Sequence, residues 1–452
     1  MSFPRYPEYK DSGVEWLGEV PGHWEVKPLK RVCNAFPSNV DKKSYEGQAP
    51  VRLCNYVDVY YNHEITSDIP FMEATASMDE ISRFSLIPGD TIITKDSEAA
   101  DDIAISAYVP CELPGVVCGY HLTIVRPLGE MSGRYVKRLF DTHFLKAQFA
   151  VAANGLTRVG LSQYAIDNAL VTVPPPNEQL AIVSFLDRET GKIDALVAEQ
   201  EKLIALLTEK RQAAISHTVT KGLDPAAPMK DSGIEWLGEV PEHWGVSSLK
   251  HYIDMSTSGP RGWSEMTSEN GALFFQSQNI GRSMDVLLED AKRIIPPDDA
   301  DAERARLHSD DVVVCITGAR TGAVAHIPSL SEAAYVNQHV CLLRPSKVNI
   351  SGRFLSLLLW STLGQQQLNV AMYGLKQGLG LDQVRNLIVS LPPLSEQTAI
   401  VAYLDEQTTK FDALTAEAQR AIELLKEHRA ALISAAVTGK IDVRGLVNAG
   451  VA

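Results

Sequence analysis

The chain has 452 residues, of which 45% are hydrophobic and 22% are charged, and its formal net charge is −14. This length favours roughly two to four domains, and the apolar share excludes a disordered or fibrous protein. No segment approaches the roughly 20 apolar residues of a membrane helix, and residues 1–19 lack the apolar core of a secretory signal. The six cysteines form no CxxC pair, which favours reduced thiols in a cytoplasmic protein. The acidic balance argues against a nucleic-acid binder that relies on charge alone.

The sequence is a tandem repeat of a unit of about 220 residues. Lys10–Lys30 and Lys230–Lys250 are identical at 16 of 21 positions. A second matched pair, PP-x-x-EQ followed by a long stretch without proline, begins at Pro174 and at Pro392. Between these repeated parts the two copies hardly resemble each other. The predicted segments are a leading segment (1–24), a variable domain (25–173), a long helix (174–222), a repeated leading segment (223–244), a second variable domain (245–391), a second long helix (392–442) and a tail (443–452).

The variable domains contain short β-branched runs separated by Gly, Pro and Asp, which predict strands and turns. Tyr135–Val151 and Ser351–Asn369 are predicted to be helices. The predicted fold class is α+β, with two mixed α/β domains joined by two long antiparallel helices in a pseudo-twofold tandem repeat. The predicted strands include Thr91–Thr94, Leu122–Val125, Val312–Thr317 and Val340–Leu343.

Two stretches of 39 residues, Glu178–Ser216 and Glu396–Ser434, predict the long helices, and their apolar residues follow the seven-residue period of a coiled coil. Since these stretches are repeats of each other, each is expected to pair with the other in antiparallel orientation. Further apolar residues widen the stripe and suit contact with the flanking domains or with a helix of a partner protein. The pseudo-twofold also predicts that residues 1–24 pack near residues 437–442. The heptad rows are Leu186, Ile193, Gln200, Leu207 and Ala214 beside Leu196 and Leu203, and Leu404, Phe411, Ala418, Leu425 and Leu432 beside Leu414 and Ala421.

Motifs of catalysis are missing from the sequence. It contains no GxxxxGK[ST] phosphate loop, no GxGxxG, no HExxH and no Asn-Pro-Pro-aromatic tetrapeptide. The DxK within residues 289–292 lacks an upstream acid in a strand, which favours a solvated loop over a nuclease site. His121 and His339 occupy matching positions of the two copies without a repeated nucleophile, so a structural role is expected.

Two glycine-bearing loops are candidates for contacts with DNA. Gly318 and Gly322 would let the backbone approach a ligand, and Arg320 offers a fork suited to phosphate or to the guanine edge. An ordinary hairpin turn remains the alternative. The first copy carries carboxylates in the corresponding loop, Asp96–Asp102, which would repel phosphate, and which suit either a cytosine amino group or a solvated loop.

A second pair of loops, Asn154–Arg158 and Tyr373–Gln377, is centred on glycine and is polar and basic in both copies. Such a repeated loop in otherwise different domains suits positioning on the DNA backbone together with base reading. A helix cap followed by a turn is the alternative. The candidate DNA-binding residues are Asn154, Gly155, Thr157, Arg158, Gly318, Arg320, Thr321, Gly374, Lys376 and Gln377.

The sequence resembles the specificity (S) subunits of type I restriction–modification systems. The resemblance rests on W-L-G-E-V-P-x-H-W at Trp16–Trp24 and Trp236–Trp244, on the Gly-centred loops, and on PP-x-x-EQ-x-A-I-V before each long helix, and it covers essentially the whole chain. It implies that two target-recognition domains each read half of a bipartite, asymmetric site in double-stranded DNA, while the helices set the spacing. It also implies two methyltransferase (M) subunits that use S-adenosylmethionine, and restriction (R) subunits that use ATP and Mg²⁺. This chain would then be neither an enzyme nor a cofactor-binding protein.

The residues support this interpretation independently of the resemblance. Two identical readers related by a twofold axis would require a palindromic site, whereas unlike domains on a repeated frame free each half-site. The variable domains contain 14 and 13 basic residues against 18 and 14 acidic ones, so the chain alone is expected to bind DNA weakly. The alternatives are a solitary or degenerate S-like scaffold without DNA targeting, and an enzyme with its own nuclease or methyltransferase site.

Overall fold

A computed structural model describes residues 3–281, 283–289, 291–373 and 378–446 of the protein. The chain divides into two compact units. Unit 1 comprises Met1–Gln200 and Arg420–Ala452, and unit 2 comprises Glu201–Gln419. Each unit therefore contains one variable domain and one part of each long helix. In the part of the chain that the structure describes, no helix is both long enough and apolar enough to cross a membrane.

Unit 1 contains the first thirteen strands and the first five short helices. The strands are β1 (Tyr9–Asp11), β2 (Glu19–Pro21), β3 (Glu25–Pro28), β4 (Cys33–Pro37), β5 (Ala49–Cys54), β6 (Met72–Ala76), β7 (Thr91–Thr94), β8 (Asp96–Ser97), β9 (Ser106–Tyr108), β10 (Val116–Cys118), β11 (Leu122–Pro127), β12 (Val159–Gly160) and β13 (Leu170–Val173). The helices are α1 (Tyr56–Tyr60), α2 (Met78–Phe84), α3 (Gly133–Phe140), α4 (His143–Ala152) and α5 (Gln163–Asn168), followed by the long helix α6 (Pro176–Lys221).

Unit 2 repeats this order of elements. Its strands are β14 (Met229–Asp231), β15 (Glu239–Pro241), β16 (Gly245–Ser248), β17 (Ile253–Ser258), β18 (Thr267–Ser268), β19 (Ala272–Phe275), β20 (Lys292–Ile294), β21 (Val312–Cys315), β22 (Val324–His326), β23 (Ala334–Val336), β24 (Val340–Pro345) and β25 (Ile388–Leu391). Its helices are α7 (Ala300–Ala305), α8 (Gly352–Trp360), α9 (Thr362–Ala371) and α10 (Leu381–Arg385), followed by the long helix α11 (Leu394–Val437).

Each unit is built around an antiparallel four-stranded sheet, in the order β4-β11-β7-β9 in unit 1 and β17-β24-β21-β22 in unit 2. Alternate residues of a strand face opposite sides of a sheet. Ile92 and Ile93 of β7 accordingly belong to two different hydrophobic cores, one on each face. Val312 and Val313 of β21 are divided between two cores in the same way. The predicted repeat of mixed α/β domains is thus confirmed at the level of sheet order and core.

The helices predicted at Tyr135–Val151 and Ser351–Asn369 are each two helices, so the prediction of single helices is wrong. In unit 1 the side chain of Thr142 accepts a hydrogen bond from the backbone N–H of Leu145, which starts α4 as a new helix. In unit 2 the side chain of Ser361 accepts from the N–H of Gly364 at the start of α9. A hydroxyl that caps a helix in this way satisfies an otherwise unpaired donor of its first turn.

Within each unit the two long helices run antiparallel. In unit 1 Arg429 pairs with Asp194 at 2.8 Å, while Arg444, beyond the end of α11, lies 3.6 Å from Glu178 near the start of α6. In unit 2 Arg211 pairs with Asp412, while Gly222 and Glu396 are neighbours at the opposite ends of their helices. Rising residue numbers on one helix therefore meet falling numbers on the other.

The main heptad rows supply the buried side of these helices, with Leu186 and Leu404 fully buried. The companion positions Leu196 and Leu414 are about half exposed, in contrast to a fully buried seam. The extra apolar residues divide between two environments, because Ile215 and Ile433 lie in the core of their own units whereas Leu206 and Leu424 are exposed.

The predicted packing of residues 1–24 against the end of the second helix is confirmed within unit 1. The ammonium of Lys440 donates to the carbonyl oxygens of Leu17 at 3.1 Å and Glu19 at 2.7 Å. The backbone N–H of Asp442 donates to the carbonyl of Pro4 at 2.8 Å. The leading segment and the last turn of α11 therefore form one piece of structure.

The glutamate of each PP-x-x-EQ motif holds the leading segment of its own unit. Glu178 accepts a hydrogen bond from the indole Nε1 of Trp24 at 2.8 Å, and it lies 2.7 Å from Nε2 of His23. In unit 2 Glu396 makes the corresponding contacts with Trp244 at 3.2 Å and with His243 at 2.7 Å. The repeated motifs thus meet in space because one carries the acceptor and the other the donors.

Candidate nucleic-acid interface

In each unit the loops that carry the candidate residues lie at one edge of the variable domain. The cause is a parallel strand pair, β5 with β10 and β19 with β23, whose carboxyl ends meet. The N–H of Gly119 donates to Cys54 at 2.8 Å, and the N–H of Asn337 donates to Phe275 at 2.9 Å. We call this region the loop edge. It consists of residues 55–61, 95–105, 119–121 and 154–160 in unit 1, and of residues 276–280, 316–323, 337–339, 373 and 378 in unit 2.

At the loop edge of unit 1 the acidic and basic candidate loops are paired with each other. Strand β12, which ends the Gly-centred loop, pairs with β8 of the acidic loop. The guanidinium of Arg158 lies 2.8 Å from Oδ1 of Asp96, and Nδ1 of His121 lies 2.6 Å from Oδ2 of the same carboxylate. The carboxylate of Asp96 is therefore shared by two partners, whereas Glu98 and Asp101 of the same loop are exposed.

Tyrosine side chains surround this ion pair. The rings of Tyr56 and Tyr60 stack with centroids 5.6 Å apart, and the hydroxyl of Tyr60 donates to Asp102 at 2.8 Å. Burial raises the pKa of Tyr56, and the hydrogen bond to Asp102 raises the pKa of Tyr60. Arg158 lies over the ring of Tyr56, and the ammonium of Lys95 lies 4.9 Å from the ring centroid of Tyr120. The edge thus offers aromatic rings and the guanidinium plane of Arg158, and these are surfaces on which a base can stack.

The loop at residues 154–158 directly follows α4 and closes as a hairpin turn, and Nδ2 of Asn154 donates to the carbonyl oxygen of Ala152, the last residue of that helix, at 2.7 Å. The backbone groups of Asn154 and Gly160 exchange hydrogen bonds of 3.1 and 2.9 Å. Gly155 has a φ of +149°, and a Cβ atom there would lie 1.9 Å from the carbonyl oxygen of Arg158. The tip therefore requires glycine, while Thr157 is exposed to solvent.

The loop of unit 2 that corresponds to the acidic loop of unit 1, Gly318–Gly322, is a hairpin turn that fixes its arginine. Thr321 donates through its hydroxyl to the carbonyl of Gly318 at 2.7 Å, within the connection from β21 to β22. Nη1 of Arg320 donates to the carbonyls of Gln278, at 3.2 Å, and of Ile280. The arginine is thus held against the turn that follows β19, where it lines a groove of about 500 Å³.

The two histidines at matching positions have matching contacts. Nδ1 of His339 lies 2.5 Å from the hydroxyl of Thr317, as Nδ1 of His121 lies beside Asp96. The N–H of Ile316 donates to the carbonyl of His339 at 2.9 Å, and the N–H of Lys95 donates to that of His121 at 3.0 Å. This arrangement fits the structural role expected for both residues.

The second Gly-centred loop is described only at its ends. Tyr373 and Gly378 exchange two backbone hydrogen bonds of 3.0 Å, as Asn154 and Gly160 do in unit 1. The candidates Gly374, Lys376 and Gln377 lie outside the described residues.

Sequence reasoning missed the side chains that follow the parallel strands. A usable signal was present, because Asn55 with Asp58 and Gln276 with Asn279 form capping boxes that mark a helical turn directly after a strand. The missed residues of the loop edges are Tyr56, Tyr60, Lys95 and Tyr120 in unit 1, and Gln276, Gln278 and Gln338 in unit 2. Among the described residues, no group of three or more His, Cys, Asp or Glu side chains is arranged to hold a metal ion.

Comparison with known proteins finds relatives of one kind. Residues 300–424 match the type I restriction modification DNA specificity domain. The chain is 25% identical to the type I restriction enzyme MjaVIII specificity subunit of Methanocaldococcus jannaschii over 313 residues, which are 67% of this chain and 68% of that protein. It is 21% identical to the StySPI specificity subunit of Salmonella potsdam over 441 residues, which are 94% of this chain and 91% of that protein.

A solved structure shares the fold over nearly the full length. The solved chain comes from work on complex assembly and conformational transition of the type I R-M system. It superimposes on the present protein with a TM-score of 0.70 at 18% identity, and the match covers 92% of the present chain and 98% of the solved chain. The domain match, the two relatives and the shared fold agree with the doubled order of leading segment, variable domain and long helix. The chain is thus similar to type I restriction–modification specificity subunits in its sequence and in its doubled order of segments.

Proposed function

We propose that each loop edge reads one half of a bipartite, asymmetric site in double-stranded DNA, and that the long helices set the spacing between the halves. The observation that carries the proposal is that one scaffold presents different chemistry at equivalent positions. Unit 1 presents a carboxylate shared by Arg158 and His121, together with tyrosines. Unit 2 presents Arg320 and amide side chains such as Gln278 and Gln338. Different donors and acceptors on a common frame are what two unlike half-sites require.

The proposal assigns no catalysis to this chain. Methyltransferase subunits, two for each chain, would bring S-adenosylmethionine, and restriction subunits would bring ATP and Mg²⁺. Because phosphate contacts dominate the affinity of DNA-binding proteins, a chain with a net charge of −14 needs partners that contribute positive surface. We therefore expect tight, sequence-specific binding only from the complex with M subunits.

A domain exchange tests the reading of half-sites. Residues 25–173 are replaced by the first variable domain of another specificity subunit, and the hybrid is expressed with the M subunit. Mapping of methylated adenines should show one changed half-site and one unchanged half-site. The reciprocal replacement of residues 245–391 is the matched control and should change the other half. A swap that alters both halves, or neither, would contradict the proposal.

An insertion tests the role of the helices. Four residues inserted near Glu201 add about one helical turn, or roughly 6 Å, to α6. The methylated site should then contain a longer unspecified spacer between two unchanged halves. The same insertion near the exposed Glu46 should leave the spacer as it is. A scaffold without DNA targeting would give no methylation in any of these strains, and an enzyme would methylate DNA without the M subunit.

A further inference from the structure

The leading hairpin of each unit carries two tryptophans, of which one is buried and the other is exposed over about half of its side chain or more. Trp24 and Trp244 are buried, and each donates its indole N–H to the glutamate of the PP-x-x-EQ motif. Their repetition follows from the core of each unit. The other pair, Trp16 and Trp236, lies in the connection between the two strands of the hairpin, β1–β2 and β14–β15.

Trp16 is 67% exposed and Trp236 is 46% exposed. A tryptophan at the surface leaves a large apolar area in contact with water, which is unfavourable. Trp236 borders Leu358 and Leu359 of its own unit on its inner side, but about half of its side chain is exposed, and the residue is the same in both copies. By contrast, the loop edges of the same two units carry different residues. A hairpin surface that is the same in both units, while the loop edges differ, suits a partner that binds in two copies.

Both hairpins carry acidic residues in the same pattern. Each hairpin exposes one aspartate and two glutamates, all within five residues of its exposed tryptophan in the sequence. These are Asp11, Glu15 and Glu19 in unit 1, and Asp231, Glu235 and Glu239 in unit 2. Three carboxylates disfavour a DNA backbone as the occupant. They favour a protein surface that presents an apolar contact bordered by lysine or arginine.

In unit 2 the tryptophan forms part of a groove of about 700 Å³. Its lining includes Trp236, Gln366, Val370, Ala371 and Leu387. Val370, near the end of α9, is almost fully exposed, and Val151 occupies the same position of α4 in unit 1 with the same exposure. The exposed valine that lines this groove therefore has a counterpart at the same helix position in unit 1.

We propose that the hairpins bearing Trp16 and Trp236 are two equivalent docking sites, each for one methyltransferase subunit. The indole and the neighbouring valine supply the apolar centre, and the carboxylates pair with basic residues of the subunit. The identity of the partner rests on the proposed function, whereas the position of the contact rests on the repeated surface itself. Because the same contact occurs twice in the chain, it would account for the binding of two M subunits.

Native mass spectrometry of the full chain co-purified with the M subunit of its own system tests the docking sites. The wild-type chain should carry two M subunits. Trp16→Ala and Trp236→Ala should each carry one at protein concentrations near the dissociation constant, and the double variant should carry none. Each substitution should weaken its own site at least about tenfold, as expected for a central aromatic contact. Met78→Ala and Ile295→Ala, which remove exposed apolar side chains elsewhere, should keep both subunits.

Charge reversal provides a second variant that leaves the indole in place. Glu15→Lys with Glu235→Lys should weaken both sites, and added salt should weaken the wild-type complex more than the reversed one. The thermal unfolding of all variants should match the wild type, because the altered side chains are exposed. Two M subunits on the double tryptophan variant, at unchanged affinity, would overturn the docking sites and leave the proposed function standing. Failure of the wild-type chain to bind any M subunit would overturn both.

Discussion

Replacing Glu178 by alanine is expected to loosen the leading segment of unit 1 far more than Glu396→Ala loosens its repeat. The side chain of Glu178 is 5% exposed and accepts from two buried donors, the indole of Trp24 at 2.8 Å and the hydroxyl of Tyr6 at 3.2 Å. A buried donor left without an acceptor costs about 1–3 kcal/mol. With two such donors, Glu178→Ala is expected to lower the free energy of opening of the leading segment by about 3–4 kcal/mol.

The repeat supplies its own control because the second glutamate has fewer buried partners. Glu396 is 27% exposed and accepts from one such donor, Trp244 at 3.2 Å. Ala226 stands where the first copy has Tyr6. Water can replace part of the hydrogen bonding that Glu396→Ala removes, so we expect the free energy of opening of this leading segment to fall by about 1 kcal/mol. A difference of about 2–3 kcal/mol corresponds to roughly 30- to 150-fold in the equilibrium constant for opening.

Hydrogen exchange followed by mass spectrometry measures the opening of both leading segments in one sample of each variant. Peptides from residues 3–24 report on Glu178, and peptides from residues 223–244 report on Glu396. Glu178→Ala should accelerate exchange in the first group at least about tenfold more than Glu396→Ala does in the second. Glu178→Gln, which keeps one acceptor oxygen, should give an intermediate value. Equal acceleration in the two copies would refute the reasoning from buried donors.

Three further changes test a turn, the buried thiols and the loop edge. Gly439→Ala should lower the free energy of unfolding in urea by more than about 2 kcal/mol, since φ is +74° and a Cβ would lie 2.3 Å from a ring carbon of Pro21; unchanged stability would contradict this. Iodoacetamide at pH 8 should modify native protein at the exposed Cys111 alone, because burial raises the pKa of Cys33 to about 12; mass spectrometry that finds other modified cysteines would count against it. Tyr120→Ala should weaken DNA binding by the complex about 5- to 30-fold, as measured by mobility shift, and full affinity would exclude stacking on this ring.

The sequence predicts the fold well wherever a repeated pattern reports directly on the backbone. The 220-residue repeat predicts two copies of one sheet order, and Thr91–Thr94 is both predicted and found as a strand. The 39-residue stretches taken from the heptad pattern are shorter than the 46 residues of Pro176–Lys221 and the 44 residues of Leu394–Val437, because the apolar period fades before each helix reaches its C-terminal glycine, Gly222 or Gly439. The break at Thr142 is missed, since a threonine inside an apolar period shows no sign that its hydroxyl caps a new helix.

The candidate site is predicted as separate loops and not as one surface. Asp96 and Arg158 are 62 positions apart, and their ion pair depends on the pairing of β8 with β12. Charge counted along the chain therefore predicts repulsion of phosphate where the structure has a neutralised pair. Partners of this kind follow from sheet register, which periodicity does not determine. The prediction that Gly318 and Arg320 belong to a ligand-facing loop stays a prediction.

The pairing at the loop edge of unit 1 changes how the net charge bears on DNA binding. Asp96 holds both Arg158 and His121, and Asp102 holds the hydroxyl of Tyr60. The contact that neutralises Asp96 also occupies the guanidinium of Arg158, and Glu98, Asp101 and Asp102 add further carboxylates, so this edge has no excess positive charge with which to bind phosphate. What remains are oriented donors, acceptors and aromatic faces, which discriminate between bases more than they attract a backbone. On the proposed function, affinity must then come from the methyltransferase subunits, and the acidic leading hairpins are well suited to bind basic partners because they do not need to bind DNA.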